Sequence, residues 1–159
     1  MSLLAISYDD IFDAFLECIT DHNLASLDKS EAYQMMAGWL RKGVSKSYIK
    51  RLFSSSTLDK ETQVFRFELK HPAKDETEQD QIDFVKNVAC KAMVIEWCEP
   101  KVNSTINISQ MFGTKEQKYY SQSAHLSELR NLLADTKAEL KHELGDRGVV
   151  INSYLETSE

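Results

Sequence analysis

The chain has 159 residues, a formal charge of -6, 42% hydrophobic and 28% charged residues, and only five Gly and two Pro. That length suits one domain able to bury ~70% of the surface its unfolded form exposes, and the apolar share lies outside the range of disordered chains. So few turn formers argue against an all-β fold, and the negative charge argues against a dedicated nucleic-acid binder, whose affinity rests on Lys and Arg neutralising phosphates.

Ser7 precedes Tyr8, Asp9 and Asp10, then Ile11, Phe12, Phe15, Leu16 and Ile19. A capping residue, first-turn acids and an i, i+4 apolar stripe predict a helix from about Tyr8 to Asp21. Asp28 and Glu31 make a capping-box-like start for a second, longer helix through Ala32, Met35, Met36, Trp39, Leu40 and Val44, reaching Leu52. Met35, Met36 and Trp39 read as core at helical spacing, with a Met-rich binding stripe as the alternative. Ser54, Ser55 and Ser56 compete for backbone groups and break the pattern. From Thr62 to Lys70 the sequence alternates, with Phe65, Phe67 and Leu69 on one side, as a strand or extended wall does.

The acids Asp75, Glu76, Glu78 and Asp80 suit the positive end of the next helix, whose apolar face is Ile82, Val85, Ala89, Ala92, Met93 and Trp97. Pro100 is expected to end it. A short helix is expected within Asn103 to Gly113. A final one runs from about Ser123 through Leu126, Leu129, Leu132, Leu133, Leu140 and Leu144 and stops at Gly145, with Lys137 and Lys141 near its negative pole. Val149, Val150 and Ile151 then form an extended run, followed by Tyr154, Leu155 and an acidic end. The expected fold is mainly α, a helical bundle of about four helices with one short extended segment and a C-terminal arm. Residues 1–145 form the body and 146–159 the arm.

Little in the sequence suggests covalent chemistry. Phosphate-cradling loops, nucleophile elbows and common metal motifs do not occur, and no cofactor or metal is expected. Cys18, Cys90 and Cys98 are an odd number without CxxC spacing, read as reduced thiols in a cytoplasm rather than a disulfide framework or a zinc site. His22, His71, His125 and His142 lie far apart, and the acidic cluster before residue 81 lacks the Gly and terminal Glu of a Ca²⁺ loop. The first residues lack the basic region of a secretory signal, and no run approaches the ~20 apolar residues of a membrane span. Glu96 falls at the edge of an apolar helix face, so burial there requires a cationic partner. An enzymatic reading would pair Glu96 with a residue such as Arg130 or Tyr48, and a structural ion pair is the plainer alternative. Lys115, Tyr119 and Tyr120 read as an exposed subunit-contact loop rather than a base-stacking site.

The block Ala89 to Ser104, with the pattern AxxxMVxEWxxPKxNS, closely resembles phage head-tail connector proteins, also called stabilisation or neck proteins. Its pattern residues here are Met93, Glu96, Trp97, Pro100, Lys101, Asn103 and Ser104. The similarity extends to the Thr114–Ser121 stretch, to Leu126 and Glu128–Arg130, and to Tyr8, Ile11, Phe15, Leu16, Ile19 and Asp21 near the start. Together these cover most of the first 130 residues. The chain departs at Cys98, where the family prefers Leu, and at Gln122 to Ala124, which replace a Pro-containing helix opening.

The resemblance implies a structural part of a tailed-bacteriophage virion, made in the host cytoplasm, with no enzymatic activity. It implies copies of itself in a ring, expected to be a dodecamer, that bind below the portal protein after DNA packaging and join it to the next neck or tail protein. DNA would only pass through the channel, where an acidic lumen lets the duplex slide. Val149, Val150, Ile151, Tyr154 and Leu155 are then the expected docking segment for the portal or a neighbouring subunit. The rival reading is a small helical phage regulator absent from the virion.

Overall fold

The computed structural model describes residues 3–111 and 116–146, with the side chains of 22, 23 and 104–124 left out of the description. The order is β1 (Leu4–Ser7), α1 (Tyr8–Cys18), α2 (His22–Ser26), α3 (Lys29–Val44), α4 (Ser47–Lys50), β2 (Phe53–Asp59), β3 (Val64–Leu69), α5 (Glu78–Met111) and α6 (Glu116–Asp146). The mainly α class holds. Among the described residues, however, there are six helices rather than about four, and three strands rather than one extended segment.

The three strands form an antiparallel sheet in the order β1-β3-β2. The alternation read in residues 62–70 is the central strand, where Phe65, Phe67 and Leu69 point into the core. β1 went unpredicted; Leu4 and Ile6 lie opposite Phe67 and Phe65 on the same buried face. Ser54 to Ser56 do not break the chain into a turn but lie in the edge strand β2. Ser55, Ser56 and Thr57 pair with Glu68, Phe67 and Arg66, with a register shift beside Phe53. Their side chains are exposed, so pairing rather than intrinsic preference holds them extended. The hairpin turn is fastened by Asp59, whose Oδ1 accepts from the amides of Glu61 (3.0 Å) and Thr62 (3.2 Å).

Ser7 both ends β1 and caps α1, its hydroxyl accepting from Asp10 N at 3.2 Å. The helix stops at Cys18, not Asp21, because Asp21 itself caps α2 by accepting from Leu24 N at 3.1 Å. Ile11, Phe12 and Phe15 are buried, whereas Leu16 is exposed. Asp28 does stand at the α3 N-cap, but its side chain makes no capping hydrogen bond. That helix ends at Val44, and a separate turn, α4, replaces the expected continuation to Leu52. Met36 is core and Trp39 packs against it, but Met35 is 45% exposed.

The α5 helix is the axis of the molecule, touching α1, α3 and α6. It opens with a reciprocal cap: Asp80 N donates to Thr77 Oγ1 at 3.1 Å and Thr77 N to Asp80 Oδ2 at 3.2 Å. Ala92, Met93, Val94 and Ile95 are all buried, so this turn is enclosed on every side, as a helix apolar all round should be. Helix α3 comes close to α5 at Gly43, where an added Cβ would meet Ala92 Cβ at 2.9 Å.

Pro100 does not end α5, which continues to Met111 and absorbs the separate short helix expected in Asn103–Gly113. Proline lacks the N–H that would bond the Glu96 carbonyl, but packing along α1, α3 and α6 outweighs one lost backbone bond. Likewise α6 starts at Glu116, before Ser123, and runs through Gly145 to Asp146. Leu129, Leu140 and Leu144 face the core. Lys91 of α5 bonds Glu143 of α6 and lies 3.8 Å from Glu139.

Candidate functional site

Two constellations collect the residues singled out in the sequence, and both are built on the middle of α5. In the first, Trp97 projects toward the α1–α2 junction and its Nε1 donates to Asp21 Oδ2 at 2.8 Å. Lys101, one turn further on, places Nζ 3.4 Å from the same oxygen and 5.2 Å from the centre of the Trp97 ring. Asp21 Oδ1 meanwhile holds the Leu24 amide, so one carboxylate caps α2, satisfies a buried indole and pairs with a cation. Burial pushes the Asp21 carboxyl up, but the bonds from Trp97 and Leu24 and the Lys101 charge outweigh it and hold it below the usual carboxylate range.

On another side of α5, Glu96 has a side chain only 13% exposed, and Lys46 at the α4 N-cap lies 3.3 Å from its Oε1. The cation required by the sequence reading is therefore Lys46. Glu96 lines a cleft of about 480 Å³ between α4, α5 and α6, floored by Ile95, Leu140 and Leu144. Its rim carries Tyr48, Lys46 and the Glu99–Lys137 pair, which meets at 2.8 Å. Burial raises the Tyr48 phenol; Lys46 acts against this, while Glu96 and Glu99 add to it, so the hydroxyl stays a donor. Tyr48 thus shares the cleft with Glu96, whereas Arg130 is exposed and does not line it. An apolar floor beneath paired charges suits a side chain or peptide segment better than proton transfer, because Glu96 is already engaged by an ammonium.

A wider cleft of about 870 Å³ lies between α3, the start of α1 and the β2–β3 turn. Its charges are mixed, Asp9 and Asp28 against Lys29, Arg41 and Lys60. The Tyr33 hydroxyl beside it is buried without a hydrogen-bond partner.

Of the remaining pattern residues, Met93 is core, and Pro100 and Asn103 are exposed. The side chains of Ser104, Tyr119 and Tyr120 lie outside the description, as do Lys115 and the arm residues Val149, Val150, Ile151, Tyr154 and Leu155. Sequence reasoning missed Asp21 as the hub and Lys46 as the partner of Glu96. It also missed the approach of Cys18 to Cys90, whose sulfurs stand 3.7 Å apart. Asp21 carried a signal in the N-terminal resemblance; the other two depend on contacts that local pattern does not encode.

Among the described residues no group of three or more His, Cys, Asp or Glu could hold a metal, and no helix is long and apolar enough to cross a membrane. Compared with protein-family models, curated proteins and solved structures, the chain matches none.

Proposed function

We propose that this protein is a structural, non-enzymatic part of a tailed-phage neck: a connector that assembles as a ring below the portal and joins it to the next neck protein. The observation that carries the reading is the meeting at Asp21. Trp97 and Lys101 belong to the long block that resembles the connector family, and Asp21 belongs to the separate N-terminal stretch that resembles it as well. Two distant parts of one pattern that converge on one carboxylate are expected if the pattern records a shared packing solution.

The rest of the molecule fits a building block. A ring needs a rigid body presenting the same two surfaces in every copy, and α5, packed against α1, α3 and α6, supplies such a body. The α4–α5–α6 cleft offers an apolar floor with a charged rim, the anatomy of a contact that is specific without being strongly hydrophobic. In this reading residues 149–155 supply the segment that docks on the portal or on a neighbouring copy. The body and the arm are separate functional units divided near residue 146.

The test is electron microscopy of the full chain mixed with the portal ring of its own phage, with the chain alone as control. An added ring under the portal, reduced when residues 147–159 are deleted while helical content persists, is the expected result. Two unassociated species, together with absence of the chain from purified virions, would overturn the connector reading in favour of a helical regulator.

A further inference from the structure

The three cysteines behave differently once the chain is folded. Cys98 is buried and its thiol donates to the Leu129 carbonyl at 3.2 Å, which leaves it a packing residue. Cys18, the last residue of α1, is exposed, and Cys90 is buried in α5. Although 72 positions apart, their sulfurs lie 3.7 Å from each other. A disulfide requires about 2.0 Å, so closure needs a movement on the scale of a rotamer adjustment at the open end of a helix.

We propose that Cys18 and Cys90 form a thiol-oxidation site, converted by a small-molecule disulfide such as oxidised glutathione into an intramolecular cross-link that fastens α1 to α5. The exposed thiol reacts first. The Cys18 thiolate attacks one sulfur of oxidised glutathione, forming a mixed disulfide and expelling a glutathione thiolate, which takes up the proton Cys18 lost. Cys90 then attacks the Cys18 sulfur, its proton passing to the second departing glutathione thiolate. Two protein thiols are oxidised, one glutathione disulfide is reduced, and two glutathione thiols leave.

Position fixes this order. Burial pushes the Cys90 thiol up to about 12, with neighbouring Cys18 adding to the effect, so Cys90 is a poor nucleophile toward anything in solvent. Beside a Cys18 mixed disulfide the same sulfur is held next to its target, and the reaction becomes intramolecular. Cys90 is therefore the resolving thiol and Cys18 the sensing one. A reducing cytoplasm keeps the pair open, and an oxidising exterior closes it.

The experiment uses the purified full chain and oxidised glutathione, and its outcome does not depend on the portal test. The expected product is a monomer lighter by about 2 Da, with one free thiol left and a non-reduced peptide map joining Cys18 to Cys90. Because the cross-link closes a long loop, the oxidised protein should melt roughly 5–15 °C higher than the reduced one. Cys18→Ser, a change at an exposed position, should abolish both the mass loss and the thermal shift. A stable glutathione adduct on Cys18, a Cys18–Cys18 dimer, a link to Cys98, or equal melting of the two forms would overturn the proposal.

Discussion

Replacing Asp21 with alanine removes three interactions at one point, and their sizes can be set from the structure. The cap on α2 contributes about 1 kcal/mol. The bond from the buried Trp97 indole to a charged acceptor contributes about 1.5–3 kcal/mol, because its loss strands a donor in a residue only 4% exposed. The Lys101 pair adds less, since that ammonium is partly solvated. Shared partners make these terms less than additive, so about 3 kcal/mol is expected, a fall in Tm of about 6–12 °C for a chain of this size. Asp21→Asn keeps a carbonyl acceptor for the indole or the cap and loses mainly the charge, so it should cost about half as much. Both variants are measured by urea unfolding followed by far-UV circular dichroism. An Asp21→Ala variant within about 1 kcal/mol of the parent would refute the hub argument, and so would equal losses in the two variants.

The same carboxylate governs acid behaviour. Its folded pKa lies below the unfolded value, so its stabilisation is complete above about pH 4 and is lost as the pH falls through the folded pKa; Asp21→Asn should flatten that part of a stability-against-pH curve. Two glycines of α3 should respond with opposite sign. Gly43→Ala drives a methyl group to 2.9–3.1 Å from Ala92, and overpacking of about 1–3 kcal/mol outweighs a helix-propensity gain of at most about 1 kcal/mol. Gly38→Ala meets nothing within 4 Å and should stabilise by about 0.5–1 kcal/mol in the same unfolding assay. Lys46→Ala leaves Glu96 without its cation, but Lys46 is 47% exposed, so the cost should stay below about 1 kcal/mol and shrink at about 1 M salt.

Much of the helical body was legible because its signals are local. Ser7 followed by acids and an apolar stripe predicts the start of α1, and the alternation of Phe65, Phe67 and Leu69 predicts the central strand. The misreadings share a cause, which is tertiary packing overriding local preference. Three consecutive serines carry weak strand propensity, yet the β3 backbone opposite holds them extended. Pro100 weakens one turn of α5, yet the helix runs on through it, with Trp97 and Cys98 before it and Val102 after it buried in the core. At the candidate site, Glu96's need for a cation could be stated from helix geometry, but Lys46 as its source could not. The Cys18–Cys90 approach is set by how α1 crosses α5, and no spacing rule describes it.

The strand order also determines when the parts of the fold can form. The central strand β3 comes last in the sequence, so β2 and β3 can close as a local hairpin, whereas Ile6 of β1 must wait for Phe65 with four helices lying between. Closing so long a loop is entropically slow compared with hairpin formation. On a ribosome β1 therefore emerges well before β3, and its docking beside β3 adds it to a sheet already half made.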